Sequence, residues 1–217
     1  MNEAWDVYRA HWRHLVPIAF VVYVLISLLE LLLAVLFGWP GAVVGALVGL
    51  AGIFWLQGAL VVAIEDVRDG RADLSLRDTL ARVRPRLNTL TIAGLIAAIG
   101  IGIGLVLLIV PGLVLLTYWL LIVPVIMLEG AGVGDAFRRS MELVRGHGLN
   151  VFGVILLTFL VLLLVYFLVS ILAGGLDSLL ASTLLDIAVQ TLTAPFIALA
   201  WTMTYYRLRA LEAPVAA

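Results

Sequence analysis

The chain has no cysteine and no lysine, and only 12% of its 217 residues carry charge. Without cysteine there can be no disulfide scaffold, no thiolate metal site and no cysteine nucleophile. An ordinary soluble domain is about one quarter charged, so this chain cannot dress a folded surface in the usual way. It is instead 64% hydrophobic with a mean hydropathy of +1.19. A soluble core of this size cannot hide so much apolar side chain, whereas a bilayer can. The absence of lysine, beside abundant Ala, Gly, Val, Leu and Arg, suggests a GC-rich coding sequence, and a prokaryotic source is expected.

Recognisable catalytic and nucleotide-binding strings are missing too. There is no HExxH, GxSxG or Walker sequence, so hydrolytic and nucleotide-driven chemistry has no anchor. Gly132-x-Gly134-Asp135 matches the GxGD string of intramembrane aspartyl proteases, but it stands in an arginine-bearing loop without a second aspartate to share a proton. His11 and His14 lie one turn apart without a carboxylate partner, a poor metal site. No metal and no cofactor is expected, and the chain is read as non-catalytic. The net charge of −1 hides segregated charges, and no basic face for nucleic acid is present.

The basic residues that are present follow a pattern. All are arginines, in four clusters: Arg9 and Arg13; Arg68, Arg71, Arg77, Arg82, Arg84 and Arg86; Arg138, Arg139 and Arg145; Arg207 and Arg209. Cytoplasmic loops collect arginine, so the chain should cross the membrane an even number of times between clusters. A crossing needs ~20 apolar residues. Spans are predicted at about 15–37, 42–64, 88–109, 112–128, 150–172 and 180–206. The turns are expected at Gly38-Trp39-Pro40-Gly41, at Pro111-Gly112 in the middle of the uncharged stretch 87–128, and at Gly174, Gly175 and Asp177. The N-terminus does not read as a cleavable signal, because acids and arginines alternate before an apolar run too long for a signal core.

The fold class expected is all-α integral membrane, a single polytopic domain over 1–217 with six transmembrane helices as three hairpins. Each hairpin is preceded by a short amphipathic cytoplasmic surface helix, at about 3–13, 75–86 and 133–145. Trp5, Tyr8, Trp12 and Leu15 carry the first stripe, with Arg9 and Arg13 beside it for anionic headgroups. Ser75-x-x-Asp78 resembles a capping box ahead of Leu76, Leu80, Val83 and Leu87. Val133, Phe137, Met141 and Val144 carry the third stripe. Trp201, Tyr205 and Tyr206 suit an aromatic belt. Small residues at Gly41, Gly45 and Gly49, at Gly94, Ala98 and Gly102, and at Gly100 and Gly104 predict close helix approach.

Two acids fall inside predicted spans, Glu30 in the first and Asp186 in the sixth, and no arginine shares a span with either. A charged carboxylate at mid-bilayer costs about 2.5–3.5 kcal/mol on insertion scales, so each should face the bundle interior or water. As neighbours they could share a proton or a cation. Gln190 and Gln57 would extend that polar track. A second candidate site is a cytoplasmic polar cluster of Glu129, Arg138, Arg139 and Ser140 beyond the fourth span.

The stretch Pro111-Gly112 to Tyr118-Trp119, Val123-Pro124-Val125, Glu129-Gly130 and Ala136-x-x-Arg139-Ser140-x-x-Leu143-x-x-Gly146 resembles a bacterial membrane family. It is similar to the membrane domain attached to some glycerophosphoryl diester phosphodiesterases, and to free-standing six-span proteins of unknown function. The resemblance implies a helical membrane domain. It does not bring the phosphodiesterase activity, because the 217 residues are not expected to hold the separate catalytic domain or its acidic metal ligands. The expected function is therefore that of an accessory, scaffold or lipid-associated protein of the plasma membrane, with both termini cytoplasmic. Its expected partners are anionic lipid headgroups and either another protein or a second copy. The alternative is a small transporter or channel for protons, cations or a small solute, working through Glu30 and Asp186.

Overall fold

The computed structural model describes residues 2–68, 74–173 and 179–212. Among the described residues every regular element is a helix and none is a strand. Five helical stretches are long and apolar enough to cross a membrane: Ala4–Arg68, Leu76–Leu107, Ile109–Glu129, Gly148–Ile171 and Leu184–Glu212. The elements are α1 (Asn2–Arg68), α2 (Leu76–Val83), a 3-10 turn (Arg84–Arg86), α3 (Leu87–Leu107), α4 (Ile109–Trp119), α5 (Ile122–Pro124), a π-turn (Val125–Glu129), α6 (Val133–Val144), α7 (Gly148–Ala173) and α8 (Leu179–Glu212).

α1 would be about 100 Å long if straight, three bilayer cores at 1.5 Å per residue. It is interrupted at His11 and at Gly38 (φ 62°, ψ −139°), a conformation open to glycine. At Gly38 the chain folds back on itself. A Cβ on Gly41 would strike the Leu33 carbonyl, one on Gly45 would meet Glu30, and one on Gly52 would press on Ile26. Without a hydrophobic drive between helices in lipid, such small-residue faces gain their attraction from close backbone approach. The same device joins α3 to its neighbours: Gly94 sits under the Phe54 ring, Gly100 under Trp119, and Gly104 against the backbone of Gly112. Gly102 has open space beside it and takes no part.

Several expectations are corrected. The turn between α3 and α4 lies at Leu108, extended at φ −155° and ψ 129°, rather than at Pro111-Gly112. Pro111 fits the first turn of α4, where its missing N–H has no partner to lose, and Gly112 is used for packing instead. The fourth apolar stretch is not one helix. It breaks at Leu120 and Leu121, four and three residues before Pro124, whose absent N–H would otherwise bond the Leu120 carbonyl. The expected turn at Gly174, Gly175 and Asp177 lies outside the described residues.

The amphipathic segments also sit differently from their sequence stripes. Ser75 does cap α2, its hydroxyl accepting from the Asp78 N–H at 3.2 Å. Thr79 and Val83 are buried on that helix, however, while Leu80 is exposed. On α6 the buried face is Ala136, Ser140, Leu143 and Val144, and Met141 of the predicted stripe is exposed. Phe137 meets Trp119 edge-on at 4.9 Å. The N-terminal segment does not lie free on a surface. Tyr8 donates to the Leu192 carbonyl at 3.0 Å, and Trp5 and Tyr8 pack edge-on against Phe196 of α8. Aromatic residues read as lipid anchors thus dock one helix on another, while Trp12 stays exposed beneath the Arg13 guanidinium.

Candidate functional site

The packed core gathers where the arginines are. Leu15, Leu60, Leu121, Ile126, Leu199 and Tyr205 are fully buried at this end of the bundle. Three of the four arginine clusters reach it through specific contacts. From the second cluster Arg68, at the end of α1, stacks on the Tyr206 ring at 3.7 Å and Arg86 lies over Gly130; from the third Arg139 reaches α8, and from the fourth Arg209 reaches the Tyr205 hydroxyl.

Glu129 closes the π-turn, and Gly130 follows it in the left-handed conformation (φ 70°) that ends the helix and admits the Arg86 side chain. Its carboxylate accepts from Arg139 Nε at 3.1 Å and from the Tyr205 hydroxyl at 2.8 Å. Arg139 then presents both terminal nitrogens to Glu212, at 3.0 and 2.6 Å, a bidentate fork. Arg209 donates to the Tyr205 oxygen at 3.4 Å. One guanidinium therefore ties the end of the fourth apolar stretch, α6 and the last turn of α8. The Glu212 hydrogen bonds are the largest cause raising the Arg139 pKa above its ordinary value; partial burial works against them and Glu129 adds to the rise.

The four residues expected to form this cluster divide by role. Glu129 and Arg139 are brought together as expected. Arg138 is turned outward, 71% exposed, to pair with Asp135 at 3.0 Å and Glu142 at 3.9 Å on its own helix. Ser140 leaves the cluster altogether, because it is fully buried. Its hydroxyl donates to the Tyr118 carbonyl at 2.7 Å and accepts from the Leu121 N–H at 3.2 Å, satisfying backbone groups freed by the break before Pro124. Backbone left unpaired in an apolar interior costs several kcal/mol per group, so a hydroxyl there is a structural repair.

Tyr205, Arg209 and Glu212 were not anticipated as partners. Tyr205 suits an interfacial belt by its position in the sequence, yet it is fully buried with its hydroxyl on Glu129. A sequence signal did exist: Tyr205 and Arg209 are one turn apart, and Glu212 is three residues further on, so all three share a helical face.

The intramembrane candidates are placed as follows. The Glu30 carboxyl lies over Gly49 in its own hairpin, occupying the space a Cβ would fill. Asp186 is exposed and within electrostatic reach of Tyr166 on α7. No hydrogen bond joins the two acids among the described residues. Gln57 is buried in the second limb of α1, and Gln190 is half-buried on α8. Among the described residues four cavities of about 420–680 Å³ are seen, and none of these four residues lines them.

A family model described as a domain of unknown function (DUF7847) matches residues 15–208. The chain belongs to that family. The match takes in all of the apolar stretches and the Glu129–Arg139–Tyr205 arrangement, and stops short of Glu212. No curated protein matches the chain, and no solved structure does.

Proposed function

We propose that this member of the DUF7847 family is a six-span plasma-membrane protein of a prokaryote, with both termini cytoplasmic, and that it works as a non-catalytic accessory or scaffold. The observation that carries the reading is the gathering of Arg68, Arg86, Arg139 and Arg209 at one end of the bundle, around buried Tyr205 and the stacked Tyr206. A face so rich in arginine belongs on the cytoplasmic side, and its fixed helix ends suit it to hold a partner protein, a second copy or anionic lipid in one geometry. Kinship with the membrane domain found beside some phosphodiesterases is part of this proposal, and so is the absence of catalysis in this chain. Less supports transport through Glu30 and Asp186: among the described residues each acid has its own neighbours, and neither lines the four cavities above.

Two measurements test this reading. Reporter fusions at Trp39 and Leu108 should report outside, and fusions beyond Arg68 and Arg145 should report inside. Cross-linking from α6 in intact membranes, followed by purification, should yield one reproducible partner or a homodimer, lost in Arg139→Leu. Fusions at Trp39 and Arg68 on the same side would overturn the topology, and a cross-link pattern indifferent to Arg139 would overturn the scaffold role.

A further inference from the structure

Beside the Arg139 network, two cavities open between α7 and α8 at the same end of the bundle. One, of about 420 Å³, is lined by Arg68, Tyr206 and Arg207 above and by Val154 and Ala200 deeper in. The other, of about 680 Å³, is lined by His147, Asn150 and Arg207 with Val151, Leu208 and Leu211. Both include Val154, Thr204 and Arg207, so the two cavities adjoin along α7 and α8 and are taken together as one groove. Each volume lies in the range of small-ligand sites.

The chemistry of the walls is one-sided. Among the described residues no carboxylate lines either cavity, while two guanidiniums do. Arg138 and Arg139 are occupied by carboxylates, but Arg207 is in no ion pair among the described residues. The Arg68 guanidinium lies over the Tyr206 ring at 3.7 Å, which fixes its position, and it too is in no ion pair among the described residues. Guanidinium groups bind phosphate oxygens in paired hydrogen bonds. Moving from His147, just before α7, along that helix to Val154, and along α8 from Arg207 to Ala200, the lining changes from polar to apolar. That order matches an amphiphile whose phosphate is at the membrane surface and whose chain points inward.

We propose that this groove binds one anionic glycerophospholipid, its phosphate held by Arg207 and Arg68 and an acyl chain lying along Val154 and Ala200. The site deepens the lipid-facing part of the proposed function and rests on its bilayer placement. The Arg139 network closes α8 at Glu212, just beyond the groove wall formed by Leu208 and Leu211, so groove and network share one helix end.

Native mass spectrometry of the purified full chain, titrated with phosphatidylglycerol, tests the site. Wild type should retain a single phosphatidylglycerol adduct at least tenfold more strongly than phosphatidylcholine. Arg68→Ala with Arg207→Ala should abolish that preference, whereas Arg138→Ala, outside the groove, should keep it. Ala210→Trp, which narrows the groove from an exposed position, should weaken the adduct with every arginine in place, and covers the case in which the double variant fails to fold. Equal retention of phosphatidylcholine, full competition by millimolar inorganic phosphate, or unchanged binding in both groove variants would each overturn the proposal. Its failure is separable from that of the parent reading, because the reporter fusions read topology whether or not lipid is bound.

Discussion

At the arginine-bearing end Leu15, Leu121 and Leu199 are wholly closed off, while at the far end, around the Gly38 and Leu108 turns, Val35 is 73% exposed and Val106 86%. Both regions hold large apolar side chains, and they are opposite in packing. In water this would make the far end an aggregation surface; in a bilayer it is the part solvated by lipid. The difference teaches where cohesion is needed. Lipid tails are as apolar as leucine, so burying leucine against protein gains little at the far end, and close glycine contacts suffice there. The arginine-bearing end contains a helix break, a π-turn and charged side chains, which need fixed partners.

The largest expected effect sets the two regions against each other directly. Leu121→Ala removes a fully buried side chain beside the helix break and should cost about 2 kcal/mol, the lower end for a buried leucine because lipid replaces water in the reference state. Leu107→Ala, 73% exposed at the far turn, should stay within about 0.5 kcal/mol of wild type. Thermal unfolding of both in the same detergent reads the gap directly. Equal losses would mean that the far end is packed against something, such as a second copy.

Ser140→Ala should come next. It leaves the Leu121 N–H and the Tyr118 carbonyl without their side-chain partner, at about 1–2 kcal/mol, although no charge is lost. Hydrogen exchange at Leu121 should rise while exchange at the middle of α7 stays as it was. Unchanged protection would show that the break finds another partner. Arg139→Leu is expected to cost about 1–2 kcal/mol, less than for a sealed pair because its side chain is still 28% exposed. Arg139→Lys should recover only part of it, since an ammonium cannot reproduce the fork to Glu212.

Much of this molecule was legible in its sequence, and what was missed has a physical cause. The arginine clusters and uncharged runs foretell the long apolar helices, and the glycine spacing foretells several faces that touch, as at Gly45 beside Glu30, but not at Gly102. Faces were harder. In α6, Val133, Phe137 and Met141 form the more apolar stripe, yet the fully buried face is Ala136, Ser140, Leu143 and Val144, because the Ser140 hydroxyl is turned to the backbone at the helix break while Val133 and Phe137 pack at its margin. Pro111 and Pro124 look alike in a string, yet one opens a helix and the other breaks one, a difference of position along the turn. Glu129 and Arg139 could be paired on sight because they are close in sequence. Tyr205 and Glu212 are more than 70 residues from their partners, and such a contact leaves no trace in a single sequence.

The smallest effect sharpens the contrast within one pair of adjacent residues. Arg138 and Arg139 have the same side chain on the same helix, but Arg138 is 71% exposed and its ion pairs are to its own helix, at 3.0 Å to Asp135 and 3.9 Å to Glu142. Water screens such pairs, and their ordering cost offsets most of the attraction, leaving about 0–0.5 kcal/mol. Arg138→Ala should therefore unfold within about 1–2 °C of wild type, beside the clear loss in Arg139→Leu. Raising the salt concentration should erase whatever remains of the Arg138 effect while leaving most of the Arg139 effect, because exposed charges are screened and half-buried ones much less. If instead the two variants fall together, Arg138 is engaged beyond its own helix, and the outward face of α6 is part of what this protein holds.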